Sequence, residues 1–212
     1  TTDGGNNWST TVFTNLYLTS LTFVDNSIGY CVGSINSASG VVMKTTNSGI
    51  NWFTVSLVGS YIYLEDVMFA NKDTGWVCST FSLSGGLWRT IDGGLNWQMQ
   101  MDWNNRPSKI FFINSNTGWV IGNSNSNLYK TTNCGVNWFA QTGFGSYSIT
   151  DVFFATFDTG WVKRSAGGGQ NGIMRSTDGG NNWSPVNNPS LVVDSKLFFI
   201  TNKIGWAGSS FN

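Results

Sequence analysis

One octapeptide, recurring five times at intervals of 41 to 45 residues, constrains this 212-residue chain more than any other feature. It reads Thr1-Thr2-Asp3-Gly4-Gly5-Asn6-Asn7-Trp8 and returns as Thr45 to Trp52, Thr90 to Trp97, Thr131 to Trp138 and Ser176 to Trp183. A period of this length marks solenoids, propellers and arrays, in which one unit is too small to bury its own faces and must stack on its neighbours. A second signature interleaves with the first, a Phe followed six residues later by Gly and an aromatic residue. The pairs are Phe23 with Gly29-Tyr30, Phe69 with Gly75-Trp76, Phe112 with Gly118-Trp119, Phe154 with Gly160-Trp161 and Phe199 with Gly205-Trp206. The constant offset predicts a hairpin of fixed length.

Each copy reads as four short strands. In the second they are Val67-Phe69, Gly75-Cys78, Leu87-Thr90 and one starting at Asn96-Trp97. Eleven Trp, fifteen Phe and twenty-six Gly against three Pro suit aromatic strands joined by tight turns, and leave almost no room for helix. The expected fold is all-β, a β-propeller of five four-stranded blades. The octapeptide has its own mechanism: its Asp accepts hydrogen bonds from following amides and glycine supplies positive φ, while the Trp covers the outer part of the sheet. The turn-forming pairs are Asp3 with Trp8, Asn47 with Trp52, Asp92 with Trp97, Asn133 with Trp138 and Asp178 with Trp183; Asn47 and Asn133 keep the acceptor without the charge.

These octapeptides resemble the Asp-box, or bacterial neuraminidase repeat, pattern Ser/Thr-x-Asp-x-Gly-x-x-Trp. Together with the Phe and Gly-Trp strands they look most like the repeats of photosystem II assembly-factor-like propellers and related secreted bacterial proteins. The resemblance covers nearly the whole chain. It implies the fold and leaves the function open, since such boxes also occur in sialidases, other glycosidases and lectin-like proteins.

A single domain over 1–212 is expected, with repeats near 16–58, 62–102, 106–143 and 148–188, and a fifth of 192–212 closing with 1–15 so that no edge is left free. The spacing resists that closure. Thirteen to sixteen residues separate each Gly-aromatic pair from the next box, but only eight separate Gly205 from Thr1 across the junction. A five-bladed ring with a thin closing blade is the expectation; a five-repeat fragment of a larger propeller is the alternative.

Eleven basic and eleven acidic residues, only 10% of the chain, create no field for nucleic acid or an anionic membrane surface. No apolar run approaches the roughly twenty residues of a membrane span. With no His, and with Cys31, Cys78 and Cys134 scattered, neither a metal site nor a disulfide framework is expected, and no cofactor is called for. Residues present in every copy serve the blade, and that includes Lys44, Arg89, Lys130 and Arg175 before the boxes. A sialidase needs an arginine cluster, yet Arg106 and Arg164 alone escape the repeat. A glycosidase needs two carboxylates, and the acids outside the repeat are Glu65, Asp66, Asp102, Asp151 and Asp194.

Two candidate sites remain. Around the axis, equivalent inner-strand positions carry Ser20, Asp66, Lys109, Asp151 and Lys196, alternating in sign, either as ion pairs lining the channel or as a polar ligand site at its mouth. On the face opposite the boxes, loops bear Tyr17, Tyr61, Tyr63, Asp102, Trp103, Asn104, Asn105, Arg106 and Tyr147, aromatic anchors beside polar groups. The resulting expectation is a non-catalytic, exported or cell-surface propeller that binds a protein partner or joins a surface assembly. The alternatives are a lectin-like glycan binder and a sialidase-like or other glycoside hydrolase acting through Glu65, Asp66 or Asp151.

Overall fold

The computed structural model of the protein describes residues 1, 3–36, 39–60, 62–79, 86–102, 104, 106–122, 127–145, 147–165, 172–186 and 196–208. Its strands pair antiparallel into five sheets in chain order. The first holds β1 (Leu16–Phe23), β2 (Gly29–Ile35), β3 (Ser39–Thr45) and β4 (Phe53–Ser60). The second holds β5 (Asp66–Phe69), β6 (Gly75–Ser79), β7 (Gly86–Thr90) and β8 (Gln98–Asp102). The third holds β9 (Pro107–Phe112), β10 (Gly118–Gly122), β11 (Asn127–Thr131) and β12 (Phe139–Gln141), and the fourth β13 (Ser148–Phe154), β14 (Gly160–Ser165), β15 (Gly172–Ser176) and β16 (Ser184–Pro185). The fifth comprises β17 (Leu197–Phe199) and β18 (Gly205–Ala207). The first strands form the inner layer, β1 packing on β5, β5 on β9, β9 on β13 and β13 on β17. This is the blade arrangement of a β-propeller.

The fixed Phe-to-Gly offset has a steric cause. Within each blade the Phe ring lies across the Gly that opens the second strand, so a Cβ there would sit 2.5 Å from Phe69 at Gly75 and 2.4 Å from Phe112 at Gly118. Between them, the side chain two residues after the Phe closes the turn. Asn71 Oδ1 accepts from the amides of Asp73 and Thr74, as Asn114 Oδ1 does from Asn116 and Thr117.

The same Phe joins one blade to the next. Tyr30 stacks on Phe69 with ring centroids 3.5 Å apart, Trp76 on Phe112 at 3.6 Å, Trp119 on Phe154 at 3.6 Å and Trp161 on Phe199 at 3.7 Å. Four box Trp residues, Trp52, Trp97, Trp138 and Trp183, then meet their own blade's Phe edge-on, as Trp97 meets Phe69 at 6.2 Å and 84°. Buried clusters of these rings with Val32, Val42, Val77 and Leu64, and further round with Ile121, Leu128 and Ile149, form the core between sheets. The cations before the boxes lie against these rings, Lys44 over Tyr30, Lys130 over Trp119 and Arg175 over Trp161. Lys130 also donates to the carbonyl of Gly179 in the following box at 2.7 Å.

Each box is closed internally. In the second sheet, Thr90 Oγ1 donates to Asp92 Oδ1 and accepts from the amide of Gly94, Asp92 Oδ1 accepts from the amide of Asn96, and Trp97 Nε1 donates to the Gly94 carbonyl. The fourth and fifth box positions take positive φ in all five copies, where Ser48 and Cys134 depart from glycine. Four boxes clamp their own blade's hairpin, their fourth-position amides donating to the carbonyls of Ser27, Asp73, Asn116 and Asp158.

Two expectations are corrected. The fifth blade is not four-stranded among the described residues: β17 pairs with β18 alone, and segment 1–15 adds no strand to it. Phe13 of that segment packs instead with Leu16 and Trp52 against the first sheet. The outer strands also begin one or two residues later than read, because the box Trp turns inward before pairing resumes at Phe53, Gln98 and Phe139.

A methyl group at Gly118 forces the Phe112 ring out of its stack with Trp76. Gly118→Ala is expected to destabilise the fold by about 1–3 kcal/mol or more, the usual cost of overpacking, measured by chemical denaturation. In contrast, Ser48→Gly, which relieves a non-glycine residue at φ 61°, is expected to leave stability unchanged or raise it by up to ~1 kcal/mol.

Candidate functional site

The boxes and the Phe-to-Gly hairpins occupy one end of the first four blades, so the second and outer strands end, and the third and next inner strands begin, at the other. Three inner strands are bulged towards that loop end, between Leu18 and Ser20, opposite Ile121 and Gly122, and between Ile149 and Asp151. The extra residue bends the strand and carries a hydroxyl that bonds across it: Thr19 Oγ1 donates to the carbonyls of Val32 and Leu64, and Ser108 Oγ to that of Ile121.

Just below the bulges lie the axial residues, and their arrangement differs from a ring of alternating ion pairs. Asp66 accepts from Ser20 Oγ at 2.6 Å on one side and from the backbone amide of Ile110 at 2.9 Å on the other. Lys109 approaches it at 3.8 Å. Asp151 accepts from the amide of Leu197 at 2.6 Å. Both carboxylates are buried and staple one inner strand to the next. The sequence placed them at the axis but not on the neighbouring amides, because a single residue in a strand does not reveal which amide of another blade faces it. Each carboxylate is already engaged by a backbone amide of the next inner strand, which weakens the glycosidase candidates Asp66 and Asp151. Lys196 is exposed beside Leu197.

The loop end offers more. Tyr147 precedes β13, and the Arg164 guanidinium lies over its ring at 4.2 Å. Arg164 Nε is buried with no hydrogen-bond partner among the described residues. At the end of the second blade, Asp102 closes β8 and accepts from the amide and side chain of Asn104 at 3.2 and 2.8 Å, and Arg106 leads into β9 of the third blade with φ 43°. Tyr17 is exposed on β1 and Tyr63 precedes β5. Tyr61, Trp103, Asn105 and Asp194 lie outside the described residues. The structure therefore adds Arg164 to the candidates. The strand register hid it, since its neighbour Tyr147 stands seventeen residues away, across the hairpin. Arg106 and Arg164 belong to different blades and form no shared cluster of the kind a sialidase needs.

Electrostatics single out the boxes. Hydrogen bonds from Asn96 and Thr90 hold the Asp92 carboxyl down to about 2, those from Asn182 and Ser176 do the same for Asp178, and those from Thr1 and Asn7 for Asp3. Burial pushes the Cys31 thiol up to about 11 and raises Cys78 further above its ordinary value, so both behave as small apolar side chains. Among the described residues no group of three or more Cys, Asp or Glu is placed to hold a metal ion, and no helix is long and apolar enough to cross a membrane.

No family model and no curated protein matches the chain. Solved structures do. A structure of YCF48 bound to D1 peptide matches with 17% identity and a TM-score of 0.51, covering 91% of this chain and 90% of that one. YCF48 from Cyanidioschyzon merolae matches with 21% identity and a TM-score of 0.63 over 91% of this chain, which spans 62% of the length of that one. A GH74 xyloglucanase from Xanthomonas campestris matches with 14% identity and a TM-score of 0.62, over 79% of this chain and 29% of that one. At these identities the likeness establishes the propeller fold.

The box carboxylates predict a pH dependence. Their folded values lie below the ordinary 3.8, so their contribution to stability is complete above about pH 4 and is lost as pH falls towards 2. The carboxyl carbons of Asp92 and Asp178 are expected to titrate with NMR midpoints near 2, and Asp92→Asn with Asp178→Asn to flatten the acid limb of thermal stability.

Proposed function

We propose that the protein is a non-catalytic propeller that binds a protein partner through its loop end. The observation that carries this is the Arg164 guanidinium set over the Tyr147 ring at 4.2 Å at the loop end: a charged fork on an aromatic platform, suited to a carboxylate or carbonyl of a docked peptide. Asp102 and Asn104 at the end of the second blade and Arg106 at the start of the third add polar groups at the same end. The structure of YCF48 bound to D1 peptide shows that a propeller of this fold accepts a peptide, which supports the reading. The engagement of Asp66 and Asp151 in backbone staples argues against a glycoside hydrolase. An exported or cell-surface setting is part of the proposal. It rests on a chain rich in Asn, Ser, Thr and Gly with few charges, and on the resemblance of its boxes to Asp-box repeats of secreted proteins.

Selection of peptides from a displayed library is the test. Bound peptides are expected to lose at least about tenfold in affinity against Arg164→Ala, the worth of one charge-assisted hydrogen bond, and nothing against Asp92→Asn on the opposite end. Enrichment of glycans on an array with no selectable peptide would transfer the loop end to the lectin-like reading. Hydrolysis of a chromogenic glycoside would reject the non-catalytic one.

A further inference from the structure

A cation stands before the box in each of the first four blades, and three of these cations meet the box of the following blade. Lys44 lies over Tyr30, and Lys130 lies over Trp119 while donating to the Gly179 carbonyl at 2.7 Å. Both ammonium groups sit against the fourth position of that next box. A Cβ there would come within 3.2 Å of Lys44 Nζ at Gly93 and 3.1 Å of Lys130 Nζ at Gly179. In the third box that Cβ exists, because the position is Cys134, whose Sγ donates to Asn116 Oδ1 at 2.9 Å. The seat used by the two lysines is therefore filled at this junction. The cation of the second blade is Arg89, beside Trp76 in register, and Trp76 Nε1 abuts Gly135 of the same third box. Arg89 makes no ring contact, hydrogen bond or ion pair of its side chain among the described residues, and its Nε is buried without a partner.

Arg89 instead borders two open clefts on the outer side of the second blade. One, of about 250 Å³, lies between Arg89, Gln98, Met99, Gln100 and Val136 of the third box. The other, of about 190 Å³, adjoins it at Arg89 and Gln98 and reaches Asp92. Gln98 stands opposite Arg89 across the strands and adds an amide to the guanidinium. Met99 and Val136 are exposed apolar walls of the first cleft. Asp92 is the other charged lining group, and its oxygens already accept from Thr90 and Asn96. A fixed negative charge this close disfavours a dianion such as phosphate relative to a monoanion.

We infer that the outer groove between the second and third blades binds a small monocarboxylate with an apolar body, its carboxylate on the Arg89 fork and its body along Met99 and Val136. The planar guanidinium offers paired N–H groups that match the two oxygens of a carboxylate, and Gln98 supplies a further donor at the rim. The two exposed apolar side chains give the rest of the ligand a surface to cover. The site is separate from the loop end, since Arg89 immediately precedes its box at the opposite end of the blade. Two departures from the repeat create it together: arginine where Lys44 and Lys130 stand, and Cys134 where Gly93 and Gly179 stand.

Titration of the isotope-labelled chain with millimolar hexanoate, at neutral pH and fixed ionic strength and followed by NMR, tests this. The Arg89 Nε–H and the backbone amides of Gln98, Met99 and Val136 are expected to shift together and saturate. Hexanol and inorganic phosphate are expected to leave the Arg89 signal in place. Arg89→Gln is expected to weaken hexanoate binding at least about tenfold, the worth of one charge-assisted hydrogen bond. Arg89→Lys combined with Cys134→Gly rebuilds the junction in the form of Lys130 with Gly179. That pair is expected to keep the thermal stability of the fold while losing the hexanoate response, which separates loss of the site from loss of structure. No response to hexanoate overturns the inference, as does a response that never saturates or persists in the pair. An equal response to hexanol, or a response to phosphate alone, overturns it too.

Discussion

The fold depends on a three-layer contact: a glycine, the Phe ring lying on it, and the aromatic ring of the preceding blade stacked on that Phe. Because the glycine has no side chain, the Phe can lie flat over its own hairpin. Because the Phe lies flat, its outer face is a platform for Tyr30, Trp76, Trp119 or Trp161. Face-to-face rings are not the arrangement their quadrupoles prefer, so burial of large apolar area drives the contact. That burial leaves the indole Nε1 of Trp76 and Trp119 without a partner. The following box glycines, Gly135 and Gly180, come close to those nitrogens and leave no room for a side chain there. One glycine therefore answers two demands, positive φ in its own turn and clearance for the neighbouring blade.

Periodicity made the blades legible. The box and the Phe-to-Gly offset are local, eight and seven residues long, so spacing alone locates the turns and most strand bounds. What the sequence hid depends on facing between blades. The bulges at Thr19 and Ser108 look like ordinary polar positions, and their hydroxyls find carbonyls that only the bent strand brings near. The axial charges read as a ring from their alternation, but Asp66 and Asp151 face amides of the next strand, and Lys109 approaches Asp66. Among the described residues the fifth blade comprises β17 and β18, and Phe13, expected in the closing segment 1–15, finds apolar cover on the first sheet.

The two ends of each blade divide the work. The hairpin end is a lattice of short, self-satisfied turns whose carboxylates are held down by their own amides and side chains. The loop end carries residues that differ between copies, and there the Arg164 guanidinium lies over Tyr147 with its Nε without a hydrogen-bond partner among the described residues. A rigid scaffold with variable loops is the common way a repeat fold acquires a binding surface.

The first box bears on how the chain can fold. Its hydrogen bonds are all made within Thr1–Trp8, so the turn needs no tertiary contact to satisfy its own polar groups. Each such corner brings the strands on either side of it into pairing distance, closing loops of only a few residues. The hairpins then cost little search, and stacking of one finished blade on another becomes the slow, non-local step. A chain with this layout folds by adding blades to a growing edge, and the nascent polypeptide can begin that addition before its last repeat has been made.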